Sequence, residues 1–117
     1  MFEPRFHLYL SLYPNSTYVM ENLDIELFIA GIEDRKAIYD ASDKLHHNRD
    51  FVERQWKELA IIHNLPAPVL KRKWKSLRDH FRGEFKRQNS TPRSGSGLEA
   101  LYTSKWAFYK QMEFLTT

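Results

Sequence analysis

The stretch VLKRKWKSLRDHFRGEFKR, residues 69–87, contains two interleaved patterns, one of basic and one of apolar residues. It contains eight of the chain's 18 lysines and arginines, and it also repeats large apolar residues at helical spacing. At about 100° per residue, its five large apolar side chains share a wedge of about 80°, which predicts the buried face of an amphipathic helix. They are Leu70, Trp74, Leu77, Phe81 and Phe85. The stretch therefore predicts a helix over about residues 67–88 that packs on a core.

Six cations lie side by side on this helix, next to the apolar wedge. With Leu70 set at zero, they occupy angles of about 80 to 200°. They are Lys71, Arg72, Lys75, Arg78, Arg82 and Lys86, and we call them the cationic row. Such a row suits a DNA phosphate backbone, and lysine or arginine can also bind guanine O6 and N7. The alternative is a basic face that is merely solvated.

Composition limits the remaining possibilities. The 117 residues suffice for one domain, and with 42% hydrophobic residues they can form a core. The absence of cysteine excludes disulfides, thiol nucleophiles and cysteine zinc sites. No apolar run approaches the roughly 18 residues of a membrane span, so no membrane partner is expected. Residues 1–65 carry 7 basic and 11 acidic side chains, whereas residues 66–117 carry 11 and 4, so the second half is expected to meet an anionic partner.

Three further helices are predicted around the central one. The first begins at the N-cap Asp24, and the second runs from about Asn48 to His63 and ends before Pro66. A C-terminal helix is predicted over residues 104–115, capped by Ser104. Residues 6–13 alternate apolar and polar side chains, which is typical of a strand. We therefore expect an N-terminal extension over residues 1–22 and a helical domain over residues 23–116.

Catalytic and metal-binding motifs are missing from the sequence. It has no glycine-rich phosphate loop, nucleophile elbow or HExxH motif. His46 and His47 are adjacent, which is a poor arrangement for ligating one metal, and His63 occupies an apolar helix position. Glu53 and Glu58 are interpreted as a solvated helix face. We expect no enzyme activity, no cofactor and no metal.

Four ordered blocks of the sequence resemble the MADF family of Myb/SANT-like domains. They are IYD (38–40) with NRD (48–50), WKELA (56–60), KRKWKSLRDHFR (71–82) and SKWAFY (104–109). The sequence departs from the family at His63, where a leucine is usual, and at Ile61 and Ile62, which are often acidic. The BESS motif that often follows such a domain is absent from these residues, which is consistent with a piece of a longer protein.

The resemblance implies an all-α, three-helix, helix-turn-helix bundle with an additional C-terminal helix. It implies a sequence-specific DNA-binding domain of a nuclear transcriptional regulator, whose third helix (about 67–88) lies in the major groove of double-stranded DNA. Residues around the tryptophan of that helix would face the bases, which here are Lys71, Arg72 and Lys75. The structural core is expected to contain Trp56, Leu59, Leu70, Trp74, Leu77, Phe81 and Trp106.

The alternative function is a protein-interaction module without direct DNA contact. Myb/SANT-like relatives also contact chromatin proteins or co-regulators, and a homodimer is a further option. Apolar side chains outside the predicted core are the candidates for such a partner-binding surface. They are Phe6, Leu8, Leu10 and Leu12 of the strand-like extension, together with Ile61.

Overall fold

The computed structural model describes residues 23–90 and 102–116. Their elements are α1 (Ile25–Glu33), α2 (Lys36–Tyr39), α3 (Arg49–His63), α4 (Ala67–Gln88) and a 3-10 helix (Gln111–Thr116). Since no strand occurs within these ranges, the all-α prediction is confirmed. The strand predicted over residues 6–13 lies outside the described residues. The chain forms two compact units that divide between Lys73 and Trp74, and α4 contributes to both.

The first unit is built on α1, α2 and α3, which pack against one another. α1 begins as predicted, because the Asp24 carboxylate accepts a hydrogen bond of 3.1 Å from the backbone N–H of Leu27. Its inner face, formed by Phe28, Ile29 and Ile32, is fully buried. Burial of three such side chains contributes several kcal/mol, on the order of 2 kcal/mol each, so this face anchors the unit.

A tight turn joins α3 to α4. Asn64 caps the C-terminal end of α3, and its backbone is left-handed, with φ 53° and ψ 45°. The Leu65 N–H donates back to the carbonyl of Ala60 at 3.1 Å. The carbonyl of Pro66 then accepts from the N–H of Val69 at 3.0 Å, inside the first turn of α4. Proline suits this position because its missing N–H would have no partner in the helix. This helix-turn-helix connection is the one that the sequence predicts.

α4 has the bounds predicted for the third helix. Leu70, Trp74, Leu77 and Phe81 are buried along its predicted apolar wedge. Phe85, the fifth member, is 38% exposed, so its assignment to the core is wrong. It lies near the C-terminal end of the helix and stacks on Phe81, at 5.8 Å between ring centroids.

The second unit packs the C-terminal segment on its own part of α4. Tyr109 and Met112 are buried, and the Tyr109 ring lies 5.1 Å from that of Phe81. Of the other predicted core residues, Trp56 and Leu59 are buried in the first unit. Trp106 is only half-buried, which corrects its assignment to the core, and it stacks on exposed His80 at 4.0 Å.

The C-terminal helix is shorter than predicted. Instead of an α-helix over residues 104–115, the chain makes a turn at residues 107–110 and then the 3-10 helix. Ser104 does not cap a helix. Its hydroxyl donates to Glu84 at 2.7 Å and accepts from the N–H of Trp106, two residues on, at 3.3 Å, while its N–H donates to Gln88 at 2.7 Å. These bonds offer the backbone an alternative to the helix.

Candidate nucleic-acid interface

The exposure of the cationic row follows its angular distance from the buried face of α4. Arg78 and Lys71, at about 80 and 100° from Leu70, are half-buried. The other four members lie at about 120 to 200° and are exposed. The helix therefore keeps its core face and its cationic face in separate sectors, with Arg78 at the border between them.

Two lysines of the row are already engaged by carboxylates. Lys71 Nζ lies 2.9 and 3.1 Å from the two carboxylate oxygens of Glu53 on α3. Lys75 Nζ donates to Asp79 at 2.7 Å, one helical turn further along α4, and this bond lowers the pKa of the Asp79 carboxyl. Both pairs are solvent-exposed, so they contribute little to stability and can be exchanged for a phosphate partner.

Three other members of the row, Arg78, Arg82 and Lys86, are less constrained by ion pairs. Within the described ranges, Arg82 and Lys86 form no ion pair with a carboxylate. The Nε of Arg78 is buried and has no hydrogen-bond partner in the same part of the chain. The exposed side chains of Arg82 and Lys86 retain donors for an incoming anion, which is the property that phosphate binding requires.

A polar cluster fixes the C-terminal half of α4 to the segment that follows. The Glu84 carboxylate accepts hydrogen bonds from the hydroxyls of Tyr102 at 2.6 Å and Ser104 at 2.7 Å, and these bonds lower the pKa of Glu84. The guanidinium of Arg87 lies 3.9 Å above the Tyr102 ring, at cation–π distance. Arg87 is therefore held on the opposite flank of α4 from the cationic row.

Within residues 23–90 and 102–116, the histidines show no arrangement suited to catalysis or metal binding. His46 Nδ1 is 2.7 Å from the carbonyl of Ala37, and its ring meets His47 edge-on. His63 packs edge-on against Phe28 at 5.5 Å, and burial lowers its pKa. Among the described residues no three His, Asp or Glu side chains come together as a metal site.

The candidate partner-binding residues fall into two groups. Phe6, Leu8, Leu10 and Leu12 lie outside the described residues. Ile61 is 80% exposed at the end of α3, beside Ile62 at 54%. None of the helices in the described ranges is long and apolar enough to cross a bilayer.

A comparison with protein families places these features in a known group. A family model described as "Alcohol dehydrogenase transcription factor Myb/SANT-like", the MADF DNA-binding domain, matches residues 28–115. The chain belongs to the MADF family. Because this family is one of DNA-binding transcription-factor domains, the prediction that the chain is not an enzyme is confirmed.

The MADF domain also resembles a curated protein. Transcription factor Adf-1 of Drosophila melanogaster is 32% identical over 98 residues, which cover 81% of this chain and 31% of Adf-1. The chain thus spans about a third of the length of this relative. No solved structure matches the chain significantly. Family and relative together support a DNA-binding domain of a transcription regulator.

Sequence reasoning missed one charged residue beside the cationic row. Glu53 reads as part of a solvated face of α3, but the structure places its carboxylate against Lys71. The two residues are 18 positions apart on different helices. No local periodicity connects them, so only the three-dimensional arrangement of α3 and α4 reveals the pair.

Proposed function

We propose that this MADF domain is the sequence-specific DNA-binding domain of a nuclear transcriptional regulator, with α4 in the major groove. The observation that carries the proposal is the cationic row on α4, next to the core face but not part of it. If these cations were needed for packing, they could not turn to DNA without disrupting the fold. Here the exposed members of the row can contact DNA while the apolar face stays buried.

The geometry of α4 suits a recognition helix. Its 22 residues span about 33 Å, and the major groove admits one α-helix. In helix-turn-helix proteins the N-terminal residues of the recognition helix contact base edges. Lys71, Arg72 and Lys75 occupy that part of α4. Arg82 and Lys86 lie further along the same face, where they would contact phosphates and fix the orientation of the helix.

The charges predict how binding depends on salt. If all six members of the row release counterions on binding, the slope of log K against log salt concentration is about −5. Because carboxylates engage Lys71 and Lys75, a slope nearer −4 is expected if those pairs persist in the complex. A slope in this range would mean that several members of the row release counterions together.

A charge-matched pair of variants tests the proposal. The first reverses three exposed members of the row, Lys75, Arg82 and Lys86, to glutamate. The control reverses exposed lysines elsewhere, Lys36, Lys44 and Lys57, so that both variants change the formal net charge from +3 to −3. Binding to a duplex selected from a random library is measured by fluorescence anisotropy at 50 and 200 mM salt, and folding by circular dichroism.

The row variant should lose at least about a hundredfold in affinity, whereas the control should lose much less. Equal losses would mean that only net charge matters, and α4 would not be the binding surface. Wild-type affinity that does not change with salt would contradict the proposal outright.

A second candidate function rests on Ile61. An 80% exposed isoleucine beside half-exposed Ile62 is an unusual surface for a helix end, and it favours contact with a chromatin protein, a co-regulator or a second copy of the chain. Sedimentation of the wild type and of Ile61→Glu across a concentration series tests the homodimer. A wild-type mass that stays monomeric at all concentrations would remove it.

A further inference from the structure

The ion pair between Lys71 and Glu53 is placed where a helix-turn-helix protein reads bases. Lys71 is the fifth residue of α4, and Glu53 is the fifth residue of α3. Their side chains are 40% and 48% exposed, so neither is committed to the core. The pair presents a cationic donor and an anionic acceptor side by side, 2.9 Å apart, at the N-terminal end of the recognition helix.

The major-groove edge of a G·C base pair carries the complementary groups. Guanine offers the acceptors N7 and O6, and cytosine offers the N4 amino donor. Since O6 and N4 are hydrogen-bonded to each other, they lie about 2.9 Å apart. A lysine donor and a glutamate acceptor at the same spacing can therefore face guanine and cytosine at once. An A·T pair presents a donor and an acceptor at the same spacing, adenine N6 and thymine O4, but the lysine then has the thymine methyl beside O4 in place of the second acceptor, N7, that guanine places beside O6.

We propose that Lys71 and Glu53 together read one G·C base pair, with Lys71 donating to guanine and Glu53 accepting from the cytosine amino group. This inference rests on the proposed function, because it requires α4 in the major groove. It assigns Glu53 as a specificity-determining residue on the helix that precedes the recognition helix.

The surroundings of Glu53 allow a base to approach it. A hollow of about 370 Å³ borders this carboxylate, and its lining includes His46, His47 and Arg49. Arg49 is exposed in the first turn of α3, where it can contact the phosphate backbone while Glu53 faces the groove. The carboxylate is therefore reachable and lies near the exposed Arg49.

A second ion pair in the same unit serves a different purpose and provides the control. Arg35 lies 3.2 Å from Glu58 on α3, but its side chain is only 17% exposed and it also donates to the carbonyl of Gly31 at 2.8 Å. This pair ties α1 to α3 and leaves little of the guanidinium available to a ligand. Glu58→Ala therefore removes an α3 carboxylate without touching the proposed base contact.

The test uses the full 117-residue chain and the duplex that it selects from a random library. Each G·C pair of the selected site is replaced in turn, and affinities are measured for the wild type, Lys71→Ala, Glu53→Ala and Glu58→Ala. At one position the wild type should prefer G·C by about 5- to 150-fold. Lys71→Ala and Glu53→Ala should each lose most of that preference at the same position, and Glu58→Ala should keep it.

Modified bases test the same two contacts from the side of the DNA. At that position, 7-deazaguanine removes the N7 acceptor and N4-methylcytosine blocks the outward amino hydrogen. Both should weaken wild-type binding by about fivefold or more, but N4-methylcytosine should have little effect on Glu53→Ala.

The outcomes separate this inference from the proposed function. If Glu53→Ala tightens binding to every duplex equally and keeps all base preferences, the carboxylate only repels phosphate and the inference is wrong. If no duplex is selected and the charge-matched variants bind DNA alike, the proposed function itself fails. A preference for A·T at the affected position would also overturn the assignment.

Discussion

Two glycines in helices offer a matched test of how tightly the first unit is packed. Gly31 lies in α1, and a Cβ added there would come within 2.9 Å of Leu59 Cδ2, which is closer than real Cβ contacts come. Gly83 lies in α4, and a Cβ there would meet nothing within 4 Å. The substitutions Gly31→Ala and Gly83→Ala therefore add the same methyl group to a crowded site and to an open one.

The expected free energies follow from two opposing effects. Replacing glycine by alanine inside a helix stabilises it by about 0.8–1 kcal/mol, and Gly83→Ala should show this gain in full. At Gly31 the same gain is opposed by overpacking, since Leu59 is fully buried and must leave its rotamer, at a cost of about 1–3 kcal/mol. The difference between the two variants cancels the helix preference and should equal about 1–3 kcal/mol, with Gly31→Ala the less stable.

Urea unfolding followed by circular dichroism at 222 nm measures both variants. A difference of about 1 kcal/mol corresponds to a shift of about 4–8 °C in Tm for a domain of this size. In a Leu59→Ala background, which removes the opposing methyl, Gly31→Ala should become stabilising. If Gly31→Ala stabilises the wild type as much as Gly83→Ala does, the close packing of α1 on Leu59 is refuted.

Three further predictions concern the helix ends and the half-buried His63. Asn48→Ala should destabilise the fold by about 1 kcal/mol in urea unfolding, because the N–H of Phe51 loses its side-chain acceptor. Asn64→Gly should be tolerated, whereas Asn64→Ala should cost about 1 kcal/mol, because the backbone there is left-handed. Burial lowers the pKa of His63 from its ordinary value of 6.5, so the folded state favours the neutral imidazole. The contribution of His63 to the free energy of unfolding is therefore full above pH 6.5 and is lost as the pH falls below that value. Unfolding at pH 5.0 and 7.5 should show a smaller difference in His63→Leu than in the wild type.

Prediction from sequence was most accurate where the periodicity of one helix face determines which residues are buried. In α4, four of the five apolar residues of the wedge are buried, because a regular 3.6-residue period survives in a long helix whatever packs against it. The cap Asp24 was equally readable, since it acts within three residues of its own position, and Asn48, predicted only as the approximate start of the second helix, caps α3 over the same range. Local chemistry of this kind can be read without knowing the fold.

Prediction from sequence failed where residues distant in the chain form hydrogen bonds to the atoms that a local motif would use. Ser104 looks like a helix cap, but Glu84 and Gln88, 20 and 16 positions away, occupy its hydroxyl and its N–H. The chain therefore enters the C-terminal segment in an extended form, and only a short 3-10 helix follows. Glu53 shows the same limit in the candidate site, because its partner Lys71 belongs to another helix.

The separation of the core face and the cationic face on α4 also explains why an arginine suits position 78, at the border between them. A side chain at about 80° from Leu70, at the edge of the core stripe, must cover apolar surface with its stem and still reach solvent with its charge. Arg78 does this, since it is half-buried with its Nε enclosed. A lysine there would place a single compact charge at the rim, whereas the guanidinium keeps outer N–H donors beyond the enclosed Nε. Arg78 therefore lies where the two sectors meet, since it is half-buried beside the core face and next in angle to the exposed members of the cationic row.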